Sequence, residues 1–169
     1  MKSFSLRSVK LRSGEEHRDE VELELQPLEF GGQRYLPVPE KPPAELAITR
    51  ATTGTVFELR FVTRLHGPCM RCLADAVLDV AIDAREYQAL DPSADEELRS
   101  PYVVDDQLQL SDWARDALVL ELPVQILCRP DCAGLCPVCG RDLNVEPHSH
   151  DETPADPRWE ALEALRGKL

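Results

Sequence analysis

The sequence has no apolar run approaching the roughly 18 residues that a membrane span needs, and its opening ten residues carry no apolar stretch of the kind a secretion signal uses. A cytoplasmic chain with no membrane segment is the expectation. Also missing are a glycine-rich phosphate loop and any Ser/His/Asp arrangement, so hydrolase and nucleotide-binding readings have no support and no small-molecule substrate is expected. Positive charge is scarce: 19 Lys and Arg stand against 31 Asp and Glu, a net charge of −12. That deficit excludes broad, non-specific nucleic-acid binding, whose phosphate-driven affinity needs a positive footprint. It leaves room for a local one, because residues 1–12 carry +4 and residues 49–72 carry +3, while residues 73–121 carry −10.

Cysteine, by contrast, is concentrated. Cys128, Cys132, Cys136 and Cys139 lie close together and are followed by His148 and His150, while Cys69 and Cys72 form a Cys-x-x-Cys pair far earlier in the chain. In a reducing compartment such short, paired spacings point to metal rather than to disulfides. Zinc takes four thiolate or imidazole donors in a tetrahedron, and a Cys-x-x-Cys turn presents two sulfurs to one ion. Six cysteines and two histidines therefore suggest one or two Zn²⁺ ions. One division places Cys69, Cys72, Cys128 and Cys132 on one ion and Cys136, Cys139, His148 and His150 on another. Competing divisions put Cys128, Cys132, Cys136 and Cys139 together, or join Cys69 and Cys72 to Cys136 and Cys139; spacing alone does not choose. His17 and His66 have no such context.

With 43% hydrophobic residues and 14 prolines, the chain reads as one domain with a core and much surface loop. Residues 13–20 are charged and read as a loop. Val21, Leu23 and Leu25 then alternate with Glu22, Glu24 and Gln26, the period of a half-buried strand. Residues 27–43, with Gly31-Gly32 and five prolines, read as a surface connection holding a brief extended piece at 35–38. Leu46 and Ile48, a turn at Gly54, and Phe57, Leu59 and Phe61 predict two paired strands, and Leu78, Val80 and Ile82 a third over 76–84. Cys69 and Cys72 thus fall at a hairpin tip. Residues 86–100 read as an acidic loop. Ser111 is placed to cap a helix whose apolar face uses Trp113, Ala117, Leu118 and Leu120 and which Pro123 stops, and Asp156-Pro157 to open a short terminal helix. The predicted fold is α+β: a mostly antiparallel sheet covered by a helix (1–123), with a C-terminal zinc-ribbon-like Cys/His segment and terminal helix (124–169), packed as one domain.

Taken in order, Cys69-x-Arg71-Cys72-Leu73, Leu120-x-Leu122-Pro123, the run from Leu127-Cys128 to Cys136-Pro137-x-Cys139-Gly140 and on to Leu143-Asn144, and Asp156-Pro157-Arg158 resemble the YceD family of large ribosomal RNA subunit accumulation proteins. The resemblance covers about residues 55–169. Family members commonly carry Cys-x-Cys where this chain has His148-Ser149-His150, and imidazole can replace thiolate on zinc. The resemblance implies a non-catalytic role in accumulation of 23S ribosomal RNA, through the RNA, its precursor or an assembling large subunit.

The two basic islands offer Arg7, Lys10, Arg12, Arg50, Arg60, Arg64 and Arg71 to phosphates, provided they meet in one sheet; otherwise Arg60, Arg64 and Arg71 are simply the wet face of a hairpin. Phe57 and Phe61 are better explained by burial than by base stacking. Two other readings stand beside RNA binding. A zinc-ribbon adaptor would bind a basic ribosomal protein through the acidic 86–112 stretch. A dithiol redox protein would use its Cys-x-x-Cys pairs, although these lie in Gly/Pro turns rather than at a strand-to-helix junction.

Overall fold

The computed structural model describes residues 1–91 and 98–150. Contacts divide the chain into two compact units, Met1–Cys132 and Ala133–Leu169, so that Cys128 and Cys132 stay with the sheet. The first unit contains β1 (Phe4–Ser5), a 3-10 turn (Leu6–Ser8), β2 (Glu16–Glu22), β3 (Leu28–Phe30), β4 (Gln33–Val38), β5 (Pro43–Arg50), β6 (Gly54–Pro68), β7 (Asp75–Ala89), β8 (Val103–Val104), β9 (Gln107–Leu108) and α1 (Leu110–Leu120). The result is a mostly antiparallel β structure with one helix among the described residues. The terminal helix expected at Asp156 lies outside them.

The organising strand is β6. Along it Phe57, Leu59, Phe61 and Leu65 are buried, while Arg60, Val62 and Arg64 face solvent. That period of two puts one face on the core. β7 pairs with β6 along its full length, from Gly54 opposite Ala89 to Pro68 opposite Asp75. Since β7 takes one whole edge of β6, β5 and β4 share the other end to end: β5 pairs with residues 55–61 and β4 with residues 64–66. β2 then pairs with β5, and β3 with β4. A separate three-stranded sheet, in the order β1-β9-β8, carries the N-terminus.

Several expectations are corrected. Residues 16–20 are not loop but most of β2, an edge strand whose Glu16, Arg18 and Glu20 are all exposed. Charge at nearly every position hid the period, and the ladder to β5 with the Arg18–Glu45 ion pair at 3.1 Å holds the strand instead. Leu23 and Leu25 lie just beyond β2 yet are fully buried, their amides donating to the carbonyls of Pro42 and Glu40. Gly31 and Gly32, read as breakers, form the two-residue turn of the β3–β4 hairpin with φ of +57° and +76°, the left-handed pair such a turn demands. β7 runs to Ala89, five residues past the expected end, so the acidic loop begins later.

Ser111 does not cap α1. Gln109 occupies the cap position, and the Ser111 hydroxyl is buried inside the first turn without a hydrogen-bond partner among the described residues. Trp113, Ala117 and Leu118 are buried as expected, but Leu120 is 84% exposed. The helix meets the sheet at β7.

At the knuckle end of β6, Tyr35 is fully buried and its hydroxyl donates to the Pro68 carbonyl at 2.8 Å. A Cβ on Gly67 would collide with the Tyr35 ring and with the Arg34 carbonyl oxygen. Gly67→Ala should therefore destabilise the first unit by about 1–3 kcal/mol, measured by urea unfolding. An unchanged midpoint would mean that the ring has room to move.

Candidate metal centre

The first donor set forms where the β6–β7 turn meets residues 123–132. The turn is closed by two backbone bonds, Cys69 N–H to the Ala74 carbonyl (2.7 Å) and Leu73 N–H to the Cys69 carbonyl (3.0 Å), with Leu73 at φ +62°. Met70 then ties the turn to the later segment: its N–H donates to the Ile126 carbonyl (2.9 Å) and its sulfur accepts from the Ile126 N–H (3.4 Å). Ile126 is buried beneath this junction. Cys69, Cys72 and Cys132 are buried, and Cys128 reaches solvent. The sulfur of Cys69 lies 3.7 Å from that of Cys132, and that of Cys72 3.6 Å from that of Cys128. All four ligand atoms lie within 4.8 Å of one another, so the set could hold a metal ion.

The second set lies in the second unit. Cys136 N–H donates to the Arg141 carbonyl and Gly140 N–H to the Cys136 carbonyl, both at 2.8 Å, and Gly140 has φ +73°. This tight turn presents Cys136 and Cys139 together, and Leu135 bridges Asp142 beside it. Their partners are His148 and His150, again with all ligand atoms within 4.8 Å of one another. His148 Nε2 stands 3.1 Å from the Cys139 sulfur, and its Nδ1 is 2.7 Å from the Glu146 carbonyl oxygen. Nδ1–H donates to that carbonyl, leaving the Nε2 lone pair for an ion, the arrangement metal-binding imidazoles use. The donors therefore fall into the first of the three divisions. None of the six cysteines is in a disulfide.

Local fields prepare the thiolates. Burial pushes the Cys69 thiol up, but the amides of Cys72, Arg71 and Cys128 outweigh it and bring it down to about 6. The Cys139 and Val138 amides do the same for Cys136, which also falls to about 6. Cys128 moves the other way, pushed up to about 12 by its contact with the Cys72 sulfur and then by burial. A thiol held protonated in this way must lose its proton to bind an ion. Loading should release protons, read by titration calorimetry in buffers of different ionisation enthalpy, and affinity should weaken as pH falls. Proton-free loading would mean that neither Cys128 nor Cys72, whose thiol is also held up, joins the ion.

The profile of the family described as "Large ribosomal RNA subunit accumulation protein YceD" matches residues 57–166, a span that contains both donor sets. The chain belongs to the YceD family. Among its relatives is an uncharacterized protein of Mycobacterium tuberculosis, 41% identical over 128 residues that make up 73% of this chain and 61% of the relative. The chain thus spans less than two thirds of that relative's length. The uncharacterized protein YlbN of Bacillus subtilis is 28% identical over 153 residues, 89% of this chain and 87% of YlbN. A maize protein named as a chloroplastic YCED homolog for large ribosomal RNA subunit accumulation is 38% identical over 79 residues, 47% of this chain and 22% of its own length. No solved structure gives a significant match.

The seven basic residues read from this YceD sequence as phosphate contacts do not gather in one sheet. β1 is two residues long and pairs with β9, so the first island lies outside the large sheet. Arg60 pairs with Asp83 (3.1 Å) and Arg64 with Asp79 (2.6 Å) across the β6–β7 hairpin. Arg71 stays exposed but is engaged, donating to the Gln125 side chain (3.1 Å) and the Cys132 carbonyl (3.0 Å), where it braces the first donor set. Arg12 lies in the chain that follows the 3-10 turn, its amide held by the Glu15 carboxylate. Arg7, Lys10 and Arg50 do meet, lining a groove of about 610 Å³ floored by Ile48 and Phe57. Within it Arg7 is paired with Asp106 (3.0 Å), and Arg50 donates to the Thr55 hydroxyl (3.1 Å).

Proposed function

We propose that this chain is a non-catalytic, cytoplasmic factor in the accumulation of 23S ribosomal RNA during large-subunit biogenesis, stabilised by two zinc ions and contacting the RNA or its precursor directly. Membership of the YceD family supports the ribosomal role. The observation that carries the rest is the pair of assembled four-donor sets. A zinc–sulfur bond of about 2.3 Å gives a tetrahedron with edges of about 3.8 Å, and the sulfur separations of 3.7 and 3.6 Å in the first set fit that size. A mixed Cys₂His₂ set suits the same ion. Zinc there would supply cross-linking rather than reaction chemistry, since each ion has four protein ligands and no open position.

The RNA contact falls to the groove of Arg7, Lys10 and Arg50. Arg60 and Arg64 already face carboxylates, which a phosphate would have to displace, as it would Asp106 at Arg7; among the described residues Lys10 and Arg50 have no ion-pair partner. Each phosphate contact makes log K fall with log salt by about 0.7–0.9. Replacing Arg7, Lys10 and Arg50 together by Gln in the zinc-loaded protein should lower that slope by roughly 2 and weaken binding to 23S precursor RNA. Far-UV circular dichroism and zinc content should stay unchanged. An unaltered slope and affinity would move the RNA contact elsewhere.

A further inference from the structure

β7 is fifteen residues long and bonds to β6 along one edge only; among the described residues no strand takes its other edge. An open edge of that length is a template for a further strand unless something covers it. Five consecutive β7 residues, Ile82 to Glu86, line a groove of about 210 Å³ whose opposite wall is α1, with Trp113, Ala117, Leu120 and Glu121. Leu120 lies seven residues after Trp113, within about 20° of it around a helix of 3.6 residues per turn. Yet Trp113 is 2% exposed and Leu120 84%. The buried stripe of the helix therefore runs on to a last residue that faces the β7 groove with little covering it among the described residues.

Charge says what fits there. On the outer face, Asp79 and Asp83 project from β7 with side chains 75% and 67% exposed, so each retains accepting capacity beyond the arginine it already meets. Inside the groove, Glu86 and Glu121 have no cationic partner among the described residues, and Arg85, which also lines it, is already paired with Glu58. The same negative field reaches Tyr102 on the groove wall, whose phenol is held up at about 12 by burial first, then by Asp116, Glu86 and Asp112.

We infer that the open edge of β7 and the overhanging end of α1 form a docking groove for an extended basic polypeptide segment, which adds a strand to the sheet. Residues of that segment alternate. One set points inward against Trp113, Ala117 and Leu120 and is apolar. The other points outward beside Asp79 and Asp83 and is Lys or Arg. Backbone bonds to β7 hold the segment and the alternating side chains select it, as in other strand-addition complexes. This surface is distinct from the groove of Arg7, Lys10 and Arg50, and the inference does not depend on RNA binding there.

The test uses the zinc-loaded full chain and a capped octapeptide alternating Lys and Val. Hydrogen exchange should show new protection at amides of residues 82–86. The fully N-methylated peptide, which keeps the charge but cannot donate, should bind at least tenfold more weakly, as should the peptide with Glu in place of Lys. Leu120→Arg, at an exposed position, should also weaken binding at least tenfold; Glu86→Lys with Glu121→Lys provides a second variant that does not touch the apolar stripe. Replacing Arg7, Lys10 and Arg50 by Gln should leave peptide binding unchanged. The inference is overturned by absence of peptide binding at millimolar concentration, by equal binding of the methylated peptide, by protection confined to residues outside β7 and α1, or by oligouridine rather than the peptide protecting residues 82–86.

Discussion

Cys132→Ser should halve the zinc content, emptying the first set while the second stays loaded. Cys69→Ser should lose the same ion, and Cys139→Ser or His148→Ala the other, because the donors lie in two separate groups of four. Metal that binds only the folded state at a thousandfold excess over its Kd contributes about 4 kcal/mol, a large share of the roughly 5–15 kcal/mol that holds a domain together. Cys132→Ser should remove about that much from the first unit. The damage should be local at first. Phe57, Leu59, Phe61 and Leu65 remain packed without the ion, so the sheet persists while residues 123–132 detach from the hairpin tip and Ile126 gains solvent. Elemental analysis of each variant reads the ion count, and amide exchange at Met70 and Ile126 reads the junction. Loss of both ions in every variant would replace two sites with one shared site.

Phe57→Ala should cost about 3–5 kcal/mol, the range for emptying a fully buried aromatic position. Phe57 is 0% exposed, lies between Ile48 on β5 and Glu86 on β7 in register, and forms part of the floor of the basic groove. The substitution thus removes core packing where the three longest strands meet. A fall of roughly 6–20 °C in the thermal midpoint is expected at this chain length. Leu120→Ala, two turns along the helix from Trp113 but exposed, is the contrasting case, with an effect within about 0.5 kcal/mol. Equal losses at the two positions would contradict the burial of one and the exposure of the other.

What the sequence discloses depends on whether one face is dry. β5, β6 and the start of β7 were legible because Leu46, Ile48, Phe57, Leu59, Phe61 and Ile82 alternate with charged or small residues, and the knuckle at Cys69 and Cys72 follows from the hairpin they make. β2 was not, because an edge strand charged at most positions has no period to read. The pairing of Arg60 with Asp83 and of Arg64 with Asp79 was within reach: each pair is equidistant from the knuckle, so folding the hairpin about its tip finds both. The division of the metal donors was not within reach. It rests on Met70 and Ile126 exchanging backbone and sulfur bonds, a contact no spacing rule encodes. Gln109 displaced Ser111 as the cap because β9 ends at Leu108 and leads directly into the helix.

The knuckle is translated before its partners. Cys72 precedes Cys128 by 56 residues, which at roughly 5–20 residues per second leaves the hairpin dithiol without its second pair for about 3–11 s of synthesis. Cys139 precedes His148 by nine, a wait of about 0.5–2 s at the same rate. One half-built donor set is therefore open several times longer than the other, so if both hold zinc as proposed, the first set is the one more exposed to a wrong metal or to oxidation during synthesis.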